Sequence, residues 1–209
     1  MKVQPAAGGG RWAEISPHRL AGWLDGFYQR HDGAIETGLL LSAANGDTAT
    51  LVPPPGMPAV QTIDEFLAAL KVPRKLGLLL ARRGAVAVGV ADGDEFAASK
   101  VERFYVQGRT AAGGWSQQRY ARRRGNQAAA GVKEAADIAA RVLLPAATSL
   151  DALVCGGDRA TVDAILADPR LVSLISLRHE RLLEVPEPRH AVLVDALAAA
   201  TMIRIHLVP

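Results

Sequence analysis

Several common kinds of site are missing from this sequence of 209 residues. It contains a single cysteine, Cys155, so no disulfide can form within the chain, and a zinc site built from several cysteines is disfavoured. No segment approaches the roughly 18 consecutive apolar residues of a membrane-spanning helix. The start of the chain also has no apolar run of signal-peptide length. We therefore expect a cytoplasmic protein that does not bind membranes.

Groups of metal-ligating residues are also scarce. The five histidines are scattered and never fall at i, i+4 on one helix. A ribonuclease-H-type nuclease needs carboxylates that cluster at its sheet to hold divalent metal ions. The strand-like run at 75–81 has no carboxylate, and Asp92 and Asp94 lie in a tight turn. We therefore expect neither a metal site nor a cofactor.

Acidic residues are absent between Glu102 and Glu134, although the whole chain has a net charge of only +3. The same stretch contains seven cations: Arg103, Arg109, Arg119, Arg122, Arg123, Arg124 and Lys133. Its most unusual part is "GGWSQQRYARRRGNQ", residues 113–127, which predicts a flexible cationic arm that carries glutamines. Such a local positive field attracts polyanions, and the alternative is a solvated charged surface.

The first 72 residues predict a small α+β region. Residues 1–10 are expected to be a loose tail, and Ser16 followed by proline is expected to begin a helix. A hairpin is predicted with its turn at Asn45-Gly46. A second helix should begin at Thr62, since Thr62 and Glu65 form a capping-box pattern.

Residues 73–209 predict an α/β domain. Three strand-like runs separated by short turns indicate an antiparallel meander, which is followed by a helix from Asn126 and then by strand, helix, strand and helix. The stretch "MIRIHLV" at 202–208 is a candidate last strand. This order predicts a mixed sheet flanked by helices, in a ribonuclease-H-like arrangement.

Two other patterns invite catalytic interpretations. Ser116 lacks the second glycine of a G-x-S-x-G elbow and does not follow a buried strand directly, which disfavours a serine hydrolase. The run 155–158, "CGGD", lies where a strand meets a helix. It could bind an anion, although a tight turn with Asp158 as a helix cap is the favoured interpretation.

The basic arm resembles a segment of a known family. A glycine and glutamine loop that enters a ribonuclease-H-like domain just before its first long helix is similar to the catalytic domain of eukaryotic and archaeal class-one release factors. The closer resemblance, over residues 73–209 in element order, is to the Vms-like release factors (the VLRF family), in their actinobacterial branch. Those proteins carry a G-x-x-Q element, which here is Gly114-Trp115-Ser116-Gln117. The neighbouring Gln118 leaves this assignment open by one residue.

The resemblance implies a peptidyl-tRNA hydrolase that frees nascent chains from stalled large (50S) ribosomal subunits. Gln117, with Gln118 as the alternative, would position water at the ester, and Gly113 and Gly114 would give the loop its conformational range. The residues expected to contact RNA are Arg109, Arg119, Arg122, Arg123, Arg124 and Lys133. Peptidyl-tRNA, ribosomal RNA and the peptidyl-transferase centre are the implied partners of a monomer that needs no cofactor. The alternative is a non-catalytic factor that uses the same arm to anchor itself to ribosomal RNA.

Overall fold

The structure is a computed structural model that describes the backbone of residues 2–104 and 116–209, and their side chains except those of 116–126 and 128. Contacts within the chain divide it into two compact units. One unit comprises Met1–Pro73 and Ala198–Pro209, and the other comprises Arg74–Leu197. No helix among the described residues is long and apolar enough to cross a bilayer.

The first unit is an antiparallel sheet with two helices. Its strands are β1 (Lys2–Pro5), β2 (Arg11–Ile15), β3 (Ile35–Thr37), β4 (Leu40–Ser42), β5 (Thr48–Val52) and β11 (Ile203–Val208), and its helices are α1 (Leu20–Arg30) and α2 (Ile63–Ala69). The strand order is β1-β2-β11-β5-β4-β3. Alternate residues of the central strands, such as Ala13, Leu51 and Ile205, are fully buried together with Leu20 and Phe66. This alternation is what one face of a sheet requires when helices cover it.

Two parts of the first unit differ from the prediction. Residues 1–10 are not a loose tail throughout, because β1 pairs with β2 as a hairpin in which Val3 lies opposite Ala13. The final strand does not join the α/β sheet, because β11 lies between β2 and β5 and pairs with both. The β1–β2 hairpin is a local pairing, whereas β11 pairs with strands more than 150 positions away in the chain, which local sequence patterns do not reveal.

The predicted turn and helix cap of the first unit are confirmed. β4 pairs with β5 across a turn in which Gly46 has a φ of +94°. The Thr62 hydroxyl accepts a hydrogen bond from the Glu65 N–H at 3.1 Å, and the Glu65 carboxylate accepts one from the Gln61 N–H at 2.6 Å. The helix predicted from Ser16 begins instead as a single 3₁₀ turn at Pro17–Arg19 and becomes α1 at Leu20.

The second unit is a mixed sheet with helices. Its strands are β6 (Lys75–Arg82), β7 (Ala85–Asp92), β8 (Glu95–Arg103), β9 (Ala152–Gly157) and β10 (Arg178–Leu183). Its helices are α3 (Ser116–Leu143), α4 (Arg159–Leu166), the short α5 (Val172–Ile175) and most of α6 (His190–Thr201), with 3₁₀ turns at Leu144–Ser149 and Pro169–Leu171.

The strand order of this sheet is β10-β9-β6-β7-β8. The predicted meander is confirmed, since β6, β7 and β8 pair antiparallel in sequence order. β9 and β10 then add in parallel on the other side of β6. Consequently β7 is antiparallel to the other four strands of this sheet. Parallel pairing of β6 and β9 requires a crossover connection, and α3 lies in it.

One face of the sheet carries the main core of the second unit. Val86, Val88 and Val90 of β7 face the buried side of α3, which presents Ile138 and Ala139, and α4 adds Ile165 to the same cluster. On the opposite face Gly89 alternates with these valines. A Cβ at Gly89 would lie 2.6 Å from the Phe96 ring and 3.1 Å from Leu193 of α6. A small residue is therefore required at Gly89 so that the Phe96 ring and α6 can pack against this face of the sheet.

Candidate functional site

The residues predicted to act on RNA and on an ester lie around the start of α3. Gly113, Gly114 and Arg109 lie outside the described residues. Six others lie in the first turns of α3, where the backbone is described: Gln117, Gln118, Arg119, Arg122, Arg123 and Arg124. Lys133 is an exposed residue farther along the same helix.

The helix begins earlier than the sequence predicted. It starts at Ser116, whereas the expected start was Asn126 and residues 113–127 were expected to form a flexible arm. Glutamine, alanine and arginine have high helix propensity, and within 116–126 only Gly125 strongly disfavours a helix. The C-terminal half also packs into the core, through Ala136, Ala139 and Leu143. That packing stabilises a continuous helix of 28 residues, about 42 Å long.

Helical spacing distinguishes the two glutamines. Positions separated by three or four residues lie on one face of a helix. One such line of positions runs through 117, 120, 124, 127 and 131. Gln118 stands about 100° around the axis from Gln117. The backbone therefore places Gln117, and not Gln118, on the helix face that carries Gln127 and Gly131.

Lys133 lies apart from the other predicted RNA contacts. It lies sixteen positions after Gln117 in the helix, which is about 24 Å at 1.5 Å per residue. Lys133 and Gln117 therefore cannot contact the same nucleotide. The arginines at 119–124 occupy the first turns, next to Gln117, and form the basic part of the helix that is close to the predicted reacting group.

A cleft borders the face of α3 that carries Gln127 and Gly131. The space that it encloses is small, about 60 Å³, and its wall is formed by the β6–β7 turn, the end of β8, α3 and α4. The residues that line it are Arg82, Arg83, Gly84, Ala85, Phe104, Gln127, Gly131, Val132, Ala135, Thr161 and Ile165. The cleft combines a mainly apolar interior with two exposed arginines at the turn.

Phe104 is fixed between two elements of this cleft. Its N–H donates a hydrogen bond to the Gly84 carbonyl at 2.8 Å, which extends the pairing of β8 with the β6–β7 turn. A Cβ on Gly131 would lie 3.5 Å from the Phe104 side chain, so α3 passes the aromatic ring at van der Waals distance. These two contacts hold Phe104, the last described residue before position 116, in a defined position.

The turn between β9 and α4 is a tight turn with an aspartate cap, as the sequence analysis favoured. Gly157 has a φ of +99°, and the Asp158 N–H donates to the Ala81 carbonyl at 2.8 Å. The Asp158 carboxylate accepts hydrogen bonds from the Thr161 hydroxyl and from the Thr161 N–H. The hydroxyl bond is the main reason that the pKa of Asp158 lies below its ordinary value.

Two other groups near this sheet are committed to structure. Burial raises the pKa of the Cys155 thiol to about 11, so it is a protonated core residue and not a nucleophile. Arg170 contacts Asp137 of α3 at 2.6 Å and Asp168 at 2.7 Å, which fastens α3 to the 3₁₀ turn at Pro169–Leu171. These ion pairs hold the C-terminal half of α3 in place.

Asp158 at the edge of the cleft serves as a helix cap, whereas the carboxylates of the β7–β8 turn lie away from the cleft. Asp92 and Asp94 are exposed in the β7–β8 turn, at the opposite end of β7, and Asp92 pairs with Lys75 at 3.7 Å. Across residues 2–104 and 116–209, no three His, Cys, Asp or Glu side chains are grouped so that they could hold a metal ion.

Arg82 and Arg83 are the lining residues that the sequence analysis missed. In the sequence they marked only a turn, together with Gly84. Their position beside α3 arises because β6 and β7 bring this turn to the same sheet edge as Phe104 and Thr161. The signal in the sequence is a pair of adjacent arginines in a short hairpin, which local patterns cannot assign to a site.

Comparison with known proteins identifies the family of this chain. The sequence profile described as the Actinobacteria/chloroflexi VLRF1 release factor matches residues 74–206, well over half of the chain. No curated protein matches the sequence significantly. Among solved structures, the archaeal translation termination factor aRF1 is similar to this chain, with a TM-score of 0.47 and 14% sequence identity. A structure described as an archaeal protein is similar with a TM-score of 0.44 and 14% sequence identity. Each match covers 91% of this chain and 66% of the other. The profile match shows that the chain belongs to the Actinobacteria/chloroflexi VLRF1 release factor family.

Proposed function

We propose that the protein is a peptidyl-tRNA hydrolase that releases nascent chains from stalled large ribosomal subunits. The observation that carries this proposal is the family match over 74–206, which includes the G-x-x-Q element that ends at Gln117 in the first turn of α3. A release factor must bring a water molecule to the ester between peptide and tRNA. The proposal assigns that task to Gln117.

Gln117 can act without a titratable group. A glutamine amide has both an acceptor oxygen and N–H donors. The oxygen can hold a water molecule in line with the ester carbonyl carbon, and an N–H can donate to the oxyanion that develops there. The water oxygen forms a bond to that carbon, and the bond to the ribose oxygen of the tRNA breaks. A proton from the water ends on that ribose oxygen, and the peptide leaves as a carboxylic acid.

The charge at the start of α3 supports binding of RNA in this region. A helix carries a partial positive charge at its N-terminus. The first turn of α3 contains no acidic residue, and four arginines follow within the next turns: Arg119, Arg122, Arg123 and Arg124. These cations repel one another and the helix dipole. A phosphate backbone beside them would relieve that repulsion and hold the glutamine near its target.

The topology of the second unit supports a ribonuclease-H-like classification. The order β8-β7-β6-β9-β10, with β7 alone reversed, is the mixed arrangement expected from the sequence. We assign the partners accordingly as the large ribosomal subunit with its peptidyl-transferase centre, ribosomal RNA and peptidyl-tRNA, reached by a cytoplasmic monomer. In this scheme the ribosome supplies the remaining groups around the ester.

A non-catalytic factor is the second candidate, and the basic turns of α3 are the observation that favours it. The same arginines could anchor the protein to ribosomal RNA without any reaction. The two functions differ in one property, which is turnover of the ester.

The test is peptide release from purified large subunits that carry peptidyl-tRNA. The purified full-length protein should release the labelled peptide at a rate well above that of the same subunits without protein. Binding to the subunits without any increase in release would support the anchoring factor and contradict the hydrolase.

A further inference from the structure

We infer that one end of the sheet of the second unit, where β6, β8 and β9 finish, binds the phosphate backbone of RNA. The contacts are three exposed arginines that no local motif marks, Arg82, Arg83 and Arg159, which we call the sheet-end surface. This inference rests on the proposed function in one respect, namely that the protein works on RNA. It adds phosphate contacts on the folded sheet to those predicted in the first turns of α3.

The sheet topology brings the three arginines to one end. β6 and β9 are parallel, with Ala81 opposite Gly157, so Arg82 and Arg159 follow neighbouring strands at the same end. A Cβ at Gly157 would lie only 3.1 Å from Cγ of Arg82, which shows how closely the two segments approach. The start of α4 is therefore held beside the β6–β7 turn that carries Arg82 and Arg83.

The charges of the sheet-end surface are not neutralised by ion pairs. All three arginines are exposed, and none of them forms an ion pair with a carboxylate of residues 2–104 or 116–209. The Asp158 carboxylate caps α4 and accepts hydrogen bonds from the Thr161 hydroxyl and N–H. The Glu187 carboxylate contacts Arg103 and Arg189, each at 3.4 Å. Both carboxylates are thus already engaged.

The stability of the fold does not account for this arrangement. A helix carries a partial positive charge at its N-terminus, so a cation in the first turn is unfavourable. Arg159 is the first residue of α4, whose first turn contains no acidic residue after the Asp158 cap. Arg82 and Arg83 add two cations beside that turn, where they line the cleft together with Thr161. A phosphate would relieve the repulsion, and a guanidinium can bind it through two parallel hydrogen bonds.

The opposite end of the sheet has the opposite charge. The β7–β8 turn carries Asp92, Asp94 and Glu95, and Lys75 pairs with Asp92 there at 3.7 Å. At the arginine end, the exposed Glu184 follows β10, which lies beyond β9 at the edge of the sheet. RNA would therefore be attracted to one end of the sheet and repelled from the other, which orients the second unit on its partner.

α3 continues the positive surface away from the sheet. The β6–β7 turn borders α3 at Gly131 and Val132. Position 124 lies seven residues before Gly131, about 10 Å along the helix axis, and position 119 lies about 18 Å away. Positive charge repeated over this length matches the regular phosphates of RNA better than a cluster of acidic side chains. One RNA backbone can contact both regions, and the sheet-end contacts would fix its position along α3.

The test measures how salt affects binding of the full-length protein to purified large ribosomal subunits, in a pelleting assay. Arg82→Ala/Arg83→Ala/Arg159→Ala should reduce the slope of log affinity against log salt by about 2.1–2.7, which is about 0.7–0.9 for each of three phosphate contacts. At about 0.1 M salt, this change corresponds to a loss of affinity on the order of 100-fold.

A variant of the first unit controls for net charge. Arg11→Ala/Arg19→Ala/Arg30→Ala removes the same charge from three exposed positions. It should leave the slope unchanged, because these arginines lie outside the unit that carries the sheet-end surface. An equal loss of slope in both variants would mean that only net charge matters.

A second matched variant controls for folding. Arg82→Lys/Arg83→Lys/Arg159→Lys keeps the charge at each position and should retain the wild-type slope. Its affinity should fall by only a few fold, since lysine cannot make the two parallel hydrogen bonds of a guanidinium. The alanine variant removes only exposed side chains, and its urea unfolding curve should match that of the wild type.

Three polyanions test the class of partner. Single-stranded polyuridylate, polyglutamate and vesicles of phosphatidylglycerol are compared with the wild-type protein and the sheet-end alanine variant. The RNA should bind most tightly, and its binding should weaken in the variant. Tighter binding of polyglutamate or of the vesicles, lost in the same variant, would mean that the surface serves an acidic protein or a membrane and would contradict the inference.

Two results with the large subunit would also overturn the inference. The sheet-end alanine variant could keep a slope within about 0.7 of the wild type, which is less than one contact, or the first-unit variant could lose as much slope. Peptide release by the wild-type protein, measured separately, distinguishes this failure from failure of the proposed function. Release with an unchanged slope in the variant refutes the sheet-end surface alone, and the expected loss of slope without release refutes the hydrolase alone.

Discussion

At Gly157 the turn between β9 and α4 passes very close to the backbone of Ala81 at the end of β6, beside the cleft. The φ of Gly157 is +99°, and a Cβ there would lie 2.2 Å from the carbonyl oxygen of Ala81. Both the left-handed conformation and the close approach therefore require glycine. Because this turn places Asp158 and Thr161 at the edge of the cleft, one glycine connects the sheet to the wall of the candidate site.

Replacement of Gly157 should be strongly destabilising. We expect Gly157→Ala to lower the free energy of unfolding by about 3 kcal/mol or more, because strain at positive φ adds to a clash with backbone atoms that cannot move aside. Gly46→Ala is the matched control, since Gly46 has a φ of +94° but no atom within 4 Å of the added Cβ. It should cost only about 1–2 kcal/mol. Urea unfolding of both variants measures the difference, and equal losses would contradict the close approach at Gly157.

Among the elements, α3 connects the candidate site to the core. Its N-terminal turns carry the glutamines and arginines, while Asp137 in its C-terminal half is held by Arg170. Arg170 also donates hydrogen bonds to Asp168 at 2.7 Å and 2.9 Å. Those bonds, as the main cause, lower the pKa of Asp168 to about 2, from an ordinary value of 3.8.

This pKa shift predicts a specific dependence of stability on pH. A carboxyl group with a lowered folded-state pKa stabilises the fold above its unfolded pKa, and that contribution disappears as the pH falls from about 4 to 2. The wild-type protein should therefore lose more stability over this interval than Arg170→Ala. Because the groups are exposed, the difference should be modest and should shrink in salt. Arg159→Ala should follow the wild type, and parallel stability curves for wild type and Arg170→Ala would contradict the assignment.

The elements also show what the sequence could predict and why. The strands β6, β7 and β8 and the helix caps at Thr62 and Asp158 follow from local patterns, and the structure contains all of them. The position of β11 between β2 and β5 depends on pairings of residues more than 150 positions apart in the chain, which no local sequence pattern predicts. The start of α3 was misplaced because glycines and charge suggested an arm, whereas helix propensity favoured a longer helix.

The candidate site divides in the same way. The motif and the charge run single out Gln117 and the arginines from sequence alone, but as part of an arm before the helix and not in its first turns. The cleft is formed by Arg83, Phe104, Val132 and Thr161, which come from four separate segments. Only the folded sheet brings those segments together. In the sequence each of them is an ordinary turn, strand end or helix position, so no local motif predicts the cleft.

At the scale of the whole molecule, the distribution of charge matters more than its total. A net charge of +3 is small for 209 residues, but residues 103–133 contain no carboxylate. Such a distribution gives the protein one strongly positive region on a nearly neutral body. That region should dominate the encounter with RNA and its dependence on salt.

The salt dependence of ribosome binding tests this. If Arg119, Arg122, Arg123 and Arg124 contact phosphates, the affinity should fall by about 0.7–0.9 log units per log unit of salt for each contact. Replacing all four by alanine should reduce the slope accordingly. A control with the same change in charge replaces exposed cations of the first unit, namely Arg11, Arg19, Arg30 and Lys71. An equal loss of slope in both variants would mean that only net charge matters, and an unchanged slope in the first would mean that the arginines are solvated.

The account depends most on Gln117 as the residue that positions water. Single-turnover release of peptide from a defined complex of large subunit and peptidyl-tRNA measures this directly, with a pelleting assay for binding beside it. Gln117→Ala should slow release by about 10²–10³-fold, the usual effect of losing one oxyanion donor, while binding is retained through the arginines. Gln118→Ala should slow release much less, because its position lies on a different face of α3. Release at the wild-type rate by a Gln117→Ala variant that still binds the subunit would contradict the account.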